Sequence, residues 1–146
     1  MTGADRNPWL SIPVSDYEGH MASPAVQQLG YLNRIFREAL AEARPETLAV
    51  PGCTTGNGFE HIPPGTRRVL GIDIHPDYLA ALRERFASRL PGLELHCADL
   101  RDPALAFEGL DLVHCALLLE YVEPDETVSR FARWLRPGGM LSVVLQ

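Results

Sequence analysis

The sequence contains no lysine: all 13 of its basic residues are arginine, set against 19 acidic residues. The absence of lysine excludes a Schiff base with pyridoxal phosphate, a lysine general base and a phosphate-binding loop that ends in Gly-Lys-Ser or Gly-Lys-Thr. The formal net charge is −6 and the arginines do not cluster, which argues against a nucleic-acid partner. A small neutral or cationic ligand suits this charge better.

Cysteine and long apolar runs are also scarce. The three cysteines, Cys53, Cys97 and Cys115, have none of the paired spacings of a disulfide or zinc framework. We therefore expect a reducing compartment, the cytoplasm, and no metal site. No apolar run approaches the roughly 20 residues of a membrane-spanning helix. We accordingly expect neither export nor a membrane partner.

Residues 1–22 show no helical or strand periodicity, yet they are too apolar for a disordered tail. Four of them are large and apolar: Trp9, Ile12, Tyr17 and Met21. This composition predicts an N-terminal arm that packs on the rest of the chain. A helix is expected to begin at Ser23, a good N-cap, and to end near Arg44. We therefore divide the chain into the arm, 1–22, and one domain, 23–146.

Short apolar strands and amphipathic helices alternate after this first helix. Strands are predicted at 47–50, 69–74, 93–98, 110–118 and 140–145, and helices at 76–90 and 125–135. Strands that are joined through helices run parallel, with right-handed crossovers. The pattern therefore predicts the α/β class, with a doubly wound parallel sheet.

The carboxyl ends of the first strands carry the residues that favour a ligand site, because open parallel sheets bind ligands there. The first strand leads into a turn in which Gly52, Gly56 and Gly58 would let the backbone approach a ligand closely. Asp73 ends the second strand, where a carboxylate can accept hydrogen bonds from both hydroxyls of a ribose. Asp99 follows the third strand and could accept one from an exocyclic amine such as adenine N6. Together these residues predict an adenosine-containing ligand.

Five segments resemble, in order, the successive motifs of class I S-adenosylmethionine-dependent methyltransferases. They are LAVPGCTTGNG, VLGIDIHPDYL, LHCADL, DLVHCALLLEYVEP and FARWLRPGGMLSVVL. The resemblance covers about residues 47–146, and the RPGG turn is especially characteristic of that family. It implies a Rossmann-like sheet of strand order 3-2-1-4-5, S-adenosylmethionine as the cofactor and methyl transfer to a small-molecule acceptor.

The resemblance also implies which residues contact the cofactor. It assigns the methionine half to Gly52, Cys53 and Gly56, the ribose to Asp73, the adenine to Asp99 and Leu100, and the wall beside the sulfonium to His114, Cys115 and Ala116. Thr54 and Ile74 complete the predicted cofactor residues.

Two positions depart from the family pattern. Val50 stands where the family usually has an acidic residue, and Thr54 stands in place of its second glycine. Loss of a charge-assisted hydrogen bond to the cofactor's ammonium group would cost about 1.5–3 kcal/mol of binding free energy. A positive φ at the β-branched Thr54 would be strained. We therefore expect cofactor binding to be weakened.

Methyl transfer is largely a matter of orientation, and a base is needed only when the nucleophile carries a proton. His20 is our first candidate, because histidine is the better base near neutral pH, and Glu120 is the second. Tyr17, Met21 and Tyr121 are predicted to contact the acceptor.

Two other functions compete with methyl transfer. An NAD(P)-dependent oxidoreductase shares the glycine turn and the acidic residue, although Thr54 interrupts the GxGxxG pattern. A degenerate, non-enzymatic interaction module is favoured by Val50 and Thr54, whereas Asp73 and Asp99 argue against it.

The fifth predicted strand raises a separate expectation about assembly. The family usually continues with strands six and seven, whereas this sequence ends at Gln146. The segment MLSVVL would then form an unpaired apolar edge. We expect either a fragment of a longer protein or a homodimer that pairs through this edge.

Overall fold

The structure of the protein, a computed structural model, describes residues 8–22 and 27–145. The described elements are α1 (Val14–Ala22), α2 (Gln28–Ala43), β1 (Thr47–Pro51), β2 (Arg68–Asp73), α3 (Pro76–Phe86), β3 (Leu93–Cys97), β4 (Leu110–Ala116), α4 (Pro124–Trp134) and β5 (Leu135–Val144). Short 3-10 helices lie at Pro8–Ser11, Phe59–His61 and Leu119–Tyr121. The predicted start of the first long helix at Ser23 lies outside the described residues.

The five strands form one sheet in the order β3-β2-β1-β4-β5, and every adjacent pair is parallel. This confirms the predicted α/β class and strand order. β1 is central and buried along its whole length. Its register places Val50 beside Gly71 of β2 and Ala49 beside Val113 of β4. The carboxyl ends of β1, β2 and β4 therefore meet at one edge of the sheet.

Two layers of helices enclose the sheet. On one face α2 and α3 pack over Leu48 and Leu112, and on the other face α4 packs over Ala49 and Val113. Because successive residues of a strand point to opposite faces, Leu48 and Ala49 belong to different apolar clusters. Burial on both faces explains why the central strands β1 and β2 are short apolar runs without alternation.

Local capping explains where α3 and α4 begin. The Nδ1 atom of His75 accepts a hydrogen bond from the Asp77 N–H at 3.2 Å, and a carboxylate oxygen of Glu123 accepts one from the Glu126 N–H at 2.6 Å. Each cap is followed by a proline, whose missing N–H costs nothing in the first turn. These caps lie within one or two residues of the predicted starts.

Helix α1 differs from the sequence-based expectation, which assigned no regular structure to the arm. Its Gly19 lowers intrinsic helix propensity, so the helix depends on tertiary contacts. Tyr17 supplies such a contact: it is buried, and its ring centroid lies 5.5 Å from that of Tyr78 in α3. Helix α1 thus contacts α3 through these two rings, and the division of the chain into an arm and a domain at residue 22 stays a prediction.

Strand β5 begins at Leu135, five residues before the predicted start. Leu110 pairs with Leu135, and the next pairing is Leu112 with Met140, so the RPGG turn is an irregularity inside the strand. Gly138 has a φ of 82°, which allows this bend. Within the described part of the chain no strand covers the other edge of β5. The homodimer through this edge stays a prediction.

The described helices include none that combines the length and the apolar character needed to span a membrane.

The packing of Gly58 generates a prediction about stability. Its φ is 89°, and a Cβ there would lie 2.6 Å from a ring carbon of Phe36. Gly58→Ala should lower the free energy of unfolding by about 2–4 kcal/mol, through overpacking and the positive φ together. Urea unfolding measures this, and Gly65→Ala, whose Cβ meets nothing within 4 Å, is the matched control. Equal effects of the two substitutions would contradict the packing argument.

Candidate functional site

The chain turns sharply over the carboxyl edge of the sheet after β1. The N–H groups of Gly52 and Cys53 both donate to the Ile72 carbonyl, at 2.7 and 3.2 Å, which ties the turn to the end of β2. Gly52 has a φ of 67°, and a Cβ at this position would meet only the side chain of Leu118, at 3.4 Å. Gly52 is half-buried, so part of this residue is exposed at the turn.

Asp73 lies beneath this turn with only 8% of its surface exposed. One carboxylate oxygen accepts the Thr54 N–H and the other accepts the His75 N–H, each at 2.9 Å. Burial raises the pKa of Asp73, while these backbone donors favour the charged form. The backbone N–H of Ile74 also favours the charged form, so backbone donors from both the turn and the end of β2 surround this carboxylate.

Gly56 and Gly58 lack side chains for a different reason from Gly52. A Cβ at Gly56 would lie 2.9 Å from Phe86 of α3, and the Cβ direction of Gly58 is filled by Phe36 of α2. These two glycines let the turn pack against the helices behind it. Packing against the helices therefore explains why glycine is needed at both positions. The predicted contact between Gly56 and a cofactor stays a prediction.

Two non-glycine residues adopt positive φ at this edge of the sheet. Thr54 has a φ of 49°, so the strain that its sequence position suggested is present, at a cost of about 1–2 kcal/mol. Leu117, just after β4, has a φ of 55°, and its N–H donates to the Val144 carbonyl at 2.9 Å. Strained backbone clusters at functional sites, which favours this edge as the site.

Helix α1 lies across the glycine turn. Buried Tyr17 packs on Tyr78, which stacks on His75 with ring centroids 3.9 Å apart and donates a hydrogen bond to the Ile12 carbonyl at 2.8 Å. Burial raises the pKa of Tyr17, and the neighbouring charge of Asp73 adds to that increase. Burial and then Asp73 raise the pKa of Tyr78 to about 12. Both phenols therefore stay protonated near neutral pH.

Two other residues of the arm were predicted to take part in the reaction. The side chains of His20 and Met21 lie outside the described ones. Their roles as base and as acceptor contact stay predictions.

The predicted adenine residues have partners within the protein. Asp99 forms an ion pair with Arg101, with 2.6 Å between the nearest oxygen and nitrogen, and this hydrogen bonding lowers the pKa of Asp99. Leu100 is buried in the α4-side apolar cluster, whereas Ile74 is half-buried at the end of β2. A ligand at Asp99 would share its carboxylate with Arg101.

Two of the β4 residues predicted to lie beside the sulfonium, His114 and Cys115, point to opposite faces of the sheet. The ring of His114 stacks on Phe36, with centroids 4.6 Å apart, and its Nδ1 lies 2.9 Å from the Ser142 hydroxyl. Cys115 points to the opposite face and has no exposed surface, so its contact with a cofactor stays a prediction. Ala116 is half-buried at the end of the strand.

Two buried thiols near the site lack the properties of nucleophiles. Burial raises the pKa of Cys115 to about 12, and burial with the charge of Asp73 raises that of Cys53 well above its usual value. The Cys53 sulfur lies 3.1 Å from where a Cβ of Gly71 would be. Cys53 therefore fills the space between the turn and β2.

The short helix Leu119–Tyr121 follows β4 and forms the open rim of the site. Leu119 is buried, whereas Glu120 is exposed and Tyr121 is 46% exposed. Both predicted acceptor-side residues are therefore accessible beside the sheet edge. Their contact with an acceptor stays a prediction.

Sequence reasoning did not single out three residues that shape the site. His75 caps α3 and bonds Asp73, Tyr78 stacks on His75, and Thr55 bonds Glu18 of α1 at 3.1 Å. The sequence His75-Pro76 is an N-cap signal that could have identified His75. No local pattern marks Tyr78 and Thr55, because their partners in the arm, Tyr17 and Glu18, lie far away along the chain.

Residues 49–143 match a protein family described as methyltransferase domain. No curated protein is similar enough in sequence to count as a relative.

Among solved structures, N-methyltransferase NodS from Bradyrhizobium japonicum, in complex with S-adenosyl-L-homocysteine, has a TM-score of 0.64 and 22% identity over 95% of this chain and 63% of its own. Phosphoethanolamine N-methyltransferase 1 from Haemonchus contortus, in complex with phosphoethanolamine and S-adenosylhomocysteine, has a TM-score of 0.66 and 19% identity over 88% of this chain and 30% of its own. An S-adenosylmethionine-dependent methyltransferase from Mesorhizobium loti has a TM-score of 0.58 and 29% identity over 73% of this chain and 51% of its own. The chain thus spans about a third to two thirds of the length of these proteins.

The environment of His114 generates a prediction about pH dependence. Burial lowers its pKa from 6.5 to about 4, so the unfolded chain takes up a proton in this interval while the native ring stays neutral. The free energy of unfolding should therefore fall by about 3 kcal/mol from this residue as the pH drops from 6.5 to 4. In His114→Gln this component of the pH dependence should disappear from urea unfolding curves.

Ser142→Ala is the matched control, because it removes the hydrogen bond of His114 and leaves the ring buried. This variant should keep the pH dependence of the wild type. If His114→Gln also keeps the wild-type pH dependence, burial of the His114 imidazole is not the source of that dependence.

Proposed function

The chain belongs to the methyltransferase-domain family, and on that premise we propose that it transfers the methyl group of S-adenosylmethionine to a small-molecule acceptor. The observation that carries this proposal is the buried carboxylate of Asp73, held by two backbone N–H groups directly beneath the glycine turn. A carboxylate in this place suits the two hydroxyls of a ribose.

The residues around Asp73 fit the rest of this cofactor. Half-buried Gly52 lies in the turn expected to contact the methionine half, and half-buried Ile74 follows Asp73 on the side expected for the adenine. The overall charge of −6 suits a cationic sulfonium. These features support S-adenosylmethionine over a polyanionic ligand.

When bound, S-adenosylmethionine supplies an electrophilic methyl group, so the protein mainly has to orient the two reactants. Asp73 would hold the ribose, and the backbone at Gly52 would position the methionine half. Glu120, exposed on the rim after β4, could receive a proton from the acceptor. His20 remains the first candidate for this base, on chemical grounds alone.

Val50 supports the non-enzymatic alternative. Its side chain is 7% exposed and packs in the apolar cluster on the α2 face, so no carboxylate is present there to hold the cofactor's ammonium group. Such a contact is worth about 1.5–3 kcal/mol, which corresponds to about 10- to 100-fold in affinity. The oxidoreductase alternative has less support, since the family match favours a methyltransferase domain.

Calorimetric titration with S-adenosylhomocysteine and with NAD distinguishes these three functions. We expect heat with S-adenosylhomocysteine only, at micromolar to millimolar concentration. Binding of NAD alone would favour the oxidoreductase, and binding of neither would favour the interaction module.

A substitution at Asp73 tests the assigned ribose site. Asp73→Asn should weaken S-adenosylhomocysteine binding at least about 10-fold, because it removes the charge from the hydrogen bonds to the ribose. Asp73→Ala should abolish measurable binding. Circular dichroism spectra should first establish that both variants fold.

Asp111→Asn is the matched control. Asp111 also accepts two backbone N–H groups, those of Glu46 at 2.8 Å and Thr47 at 3.1 Å, but at the opposite end of the sheet. Its substitution should leave the affinity unchanged. Unchanged affinity in the Asp73 variants would mean that the ribose binds elsewhere.

A further inference from the structure

We infer that Glu18 is a positioning residue of the cofactor site: with Arg85 it holds α1 over the glycine turn, and this contact must open before cofactor can enter or leave. The inference rests on the proposed function and adds a device that controls the exchange of the cofactor.

The contacts of Glu18 join three separate elements. Its two carboxylate oxygens accept hydrogen bonds from the two terminal nitrogens of Arg85 in α3, at 2.8 and 2.9 Å. The oxygen nearer Nη1 also accepts one from the hydroxyl of Thr55 in the glycine turn, at 3.1 Å. Glu18 thus fastens α1 to both α3 and the turn.

The apolar side of the arm extends this cover across the sheet edge. Buried Tyr17 and Tyr78 form a cluster with half-buried residues that come from the arm, from α2 and from the end of β4: Ile12, Val14, Leu29, Leu32 and Leu117. This cluster spans the carboxyl ends of the strands from β2 to β4. Helix α1 therefore covers the region in which the proposed cofactor would lie.

The burial of Asp73 shows why this cover has to move. Only 8% of Asp73 is exposed, and the cluster around Tyr17 and Tyr78 covers the neighbouring carboxyl ends of the strands. A ribose that approaches Asp73 from the side of α1 meets this cover before it reaches the carboxylate. Entry and exit of the cofactor then both require α1 to lift.

The strength of the Glu18–Arg85 pair suits a contact that opens repeatedly. Both side chains are partly exposed, at 33% and 44%, so water screens their attraction. The pair has bidentate geometry, the more specific arrangement for arginine and a carboxylate. It can therefore select the closed position of α1 without holding it permanently.

The test measures rates of S-adenosylhomocysteine binding by stopped flow. Glu18→Gln keeps the size of the side chain and removes its charge. Association and dissociation rates should both rise by about 2- to 5-fold, because the loss of an exposed ion pair makes opening easier. Arg85→Gln should also raise both rates, and the double variant should be no faster than Glu18→Gln, because Arg85 acts on α1 through Glu18.

Glu94→Gln is the matched control, because it breaks an exposed pair with Arg68 at the opposite end of the sheet. Its binding rates should equal those of the wild type. Wild-type rates in both Glu18→Gln and Arg85→Gln would overturn the inference.

Hydrogen exchange tests the same contact without any ligand. In Glu18→Gln the backbone amides of α1 should exchange about 2- to 5-fold faster, while those of β1 and β2 stay unchanged. Unchanged exchange in α1 would overturn the inference even if S-adenosylhomocysteine fails to bind. The wild type could instead fail to bind S-adenosylhomocysteine while α1 exchanges faster in Glu18→Gln. That result would contradict the proposed function and leave the inference about Glu18 standing.

Discussion

The buried carboxylate of Asp73 is the constraint on which the rest of the site depends. A charged group with 8% exposure must be hydrogen-bonded, and its two oxygens obtain their partners from Thr54 and His75. These bonds draw the turn after β1 and the start of α3 together above β2. The left-handed backbone of Thr54 is compatible with this arrangement, since it directs the N–H of a β-branched residue toward the carboxylate at the cost of local strain.

The same edge of the sheet is covered by the N-terminal arm. Tyr17 packs on Tyr78 and Glu18 ties α1 to the turn, so the ends of the strands are covered by a segment that is only weakly helical on its own. Elements with few contacts of their own are the ones that open at low cost. The site therefore combines a rigid floor, formed by β1 and β2, with a cover that can move.

Much of this architecture was predictable from the sequence, because its signals lie in residues that are close together along the chain. Short apolar runs, capping residues and the glycine turn are nearest-neighbour signals, so the strands and the place of Asp73 at the end of β2 follow from them. The strand order was implied by the resemblance to class I methyltransferases. Contacts between distant residues leave no such signal. The helix in the arm, the packing of Gly58 on Phe36 and the pairing of Glu18 with Arg85 each depend on how the chain folds back on itself.

The measurement that tests this account most directly is a crystal structure of the chain with S-adenosylhomocysteine. The account predicts both ribose hydroxyls on the carboxylate of Asp73, the methionine half beside the backbone of Gly52, and α1 closed over the ligand. A ligand bound away from Asp73, or an Asp73 carboxylate that bonds only Thr54 and His75 in the complex, would contradict it.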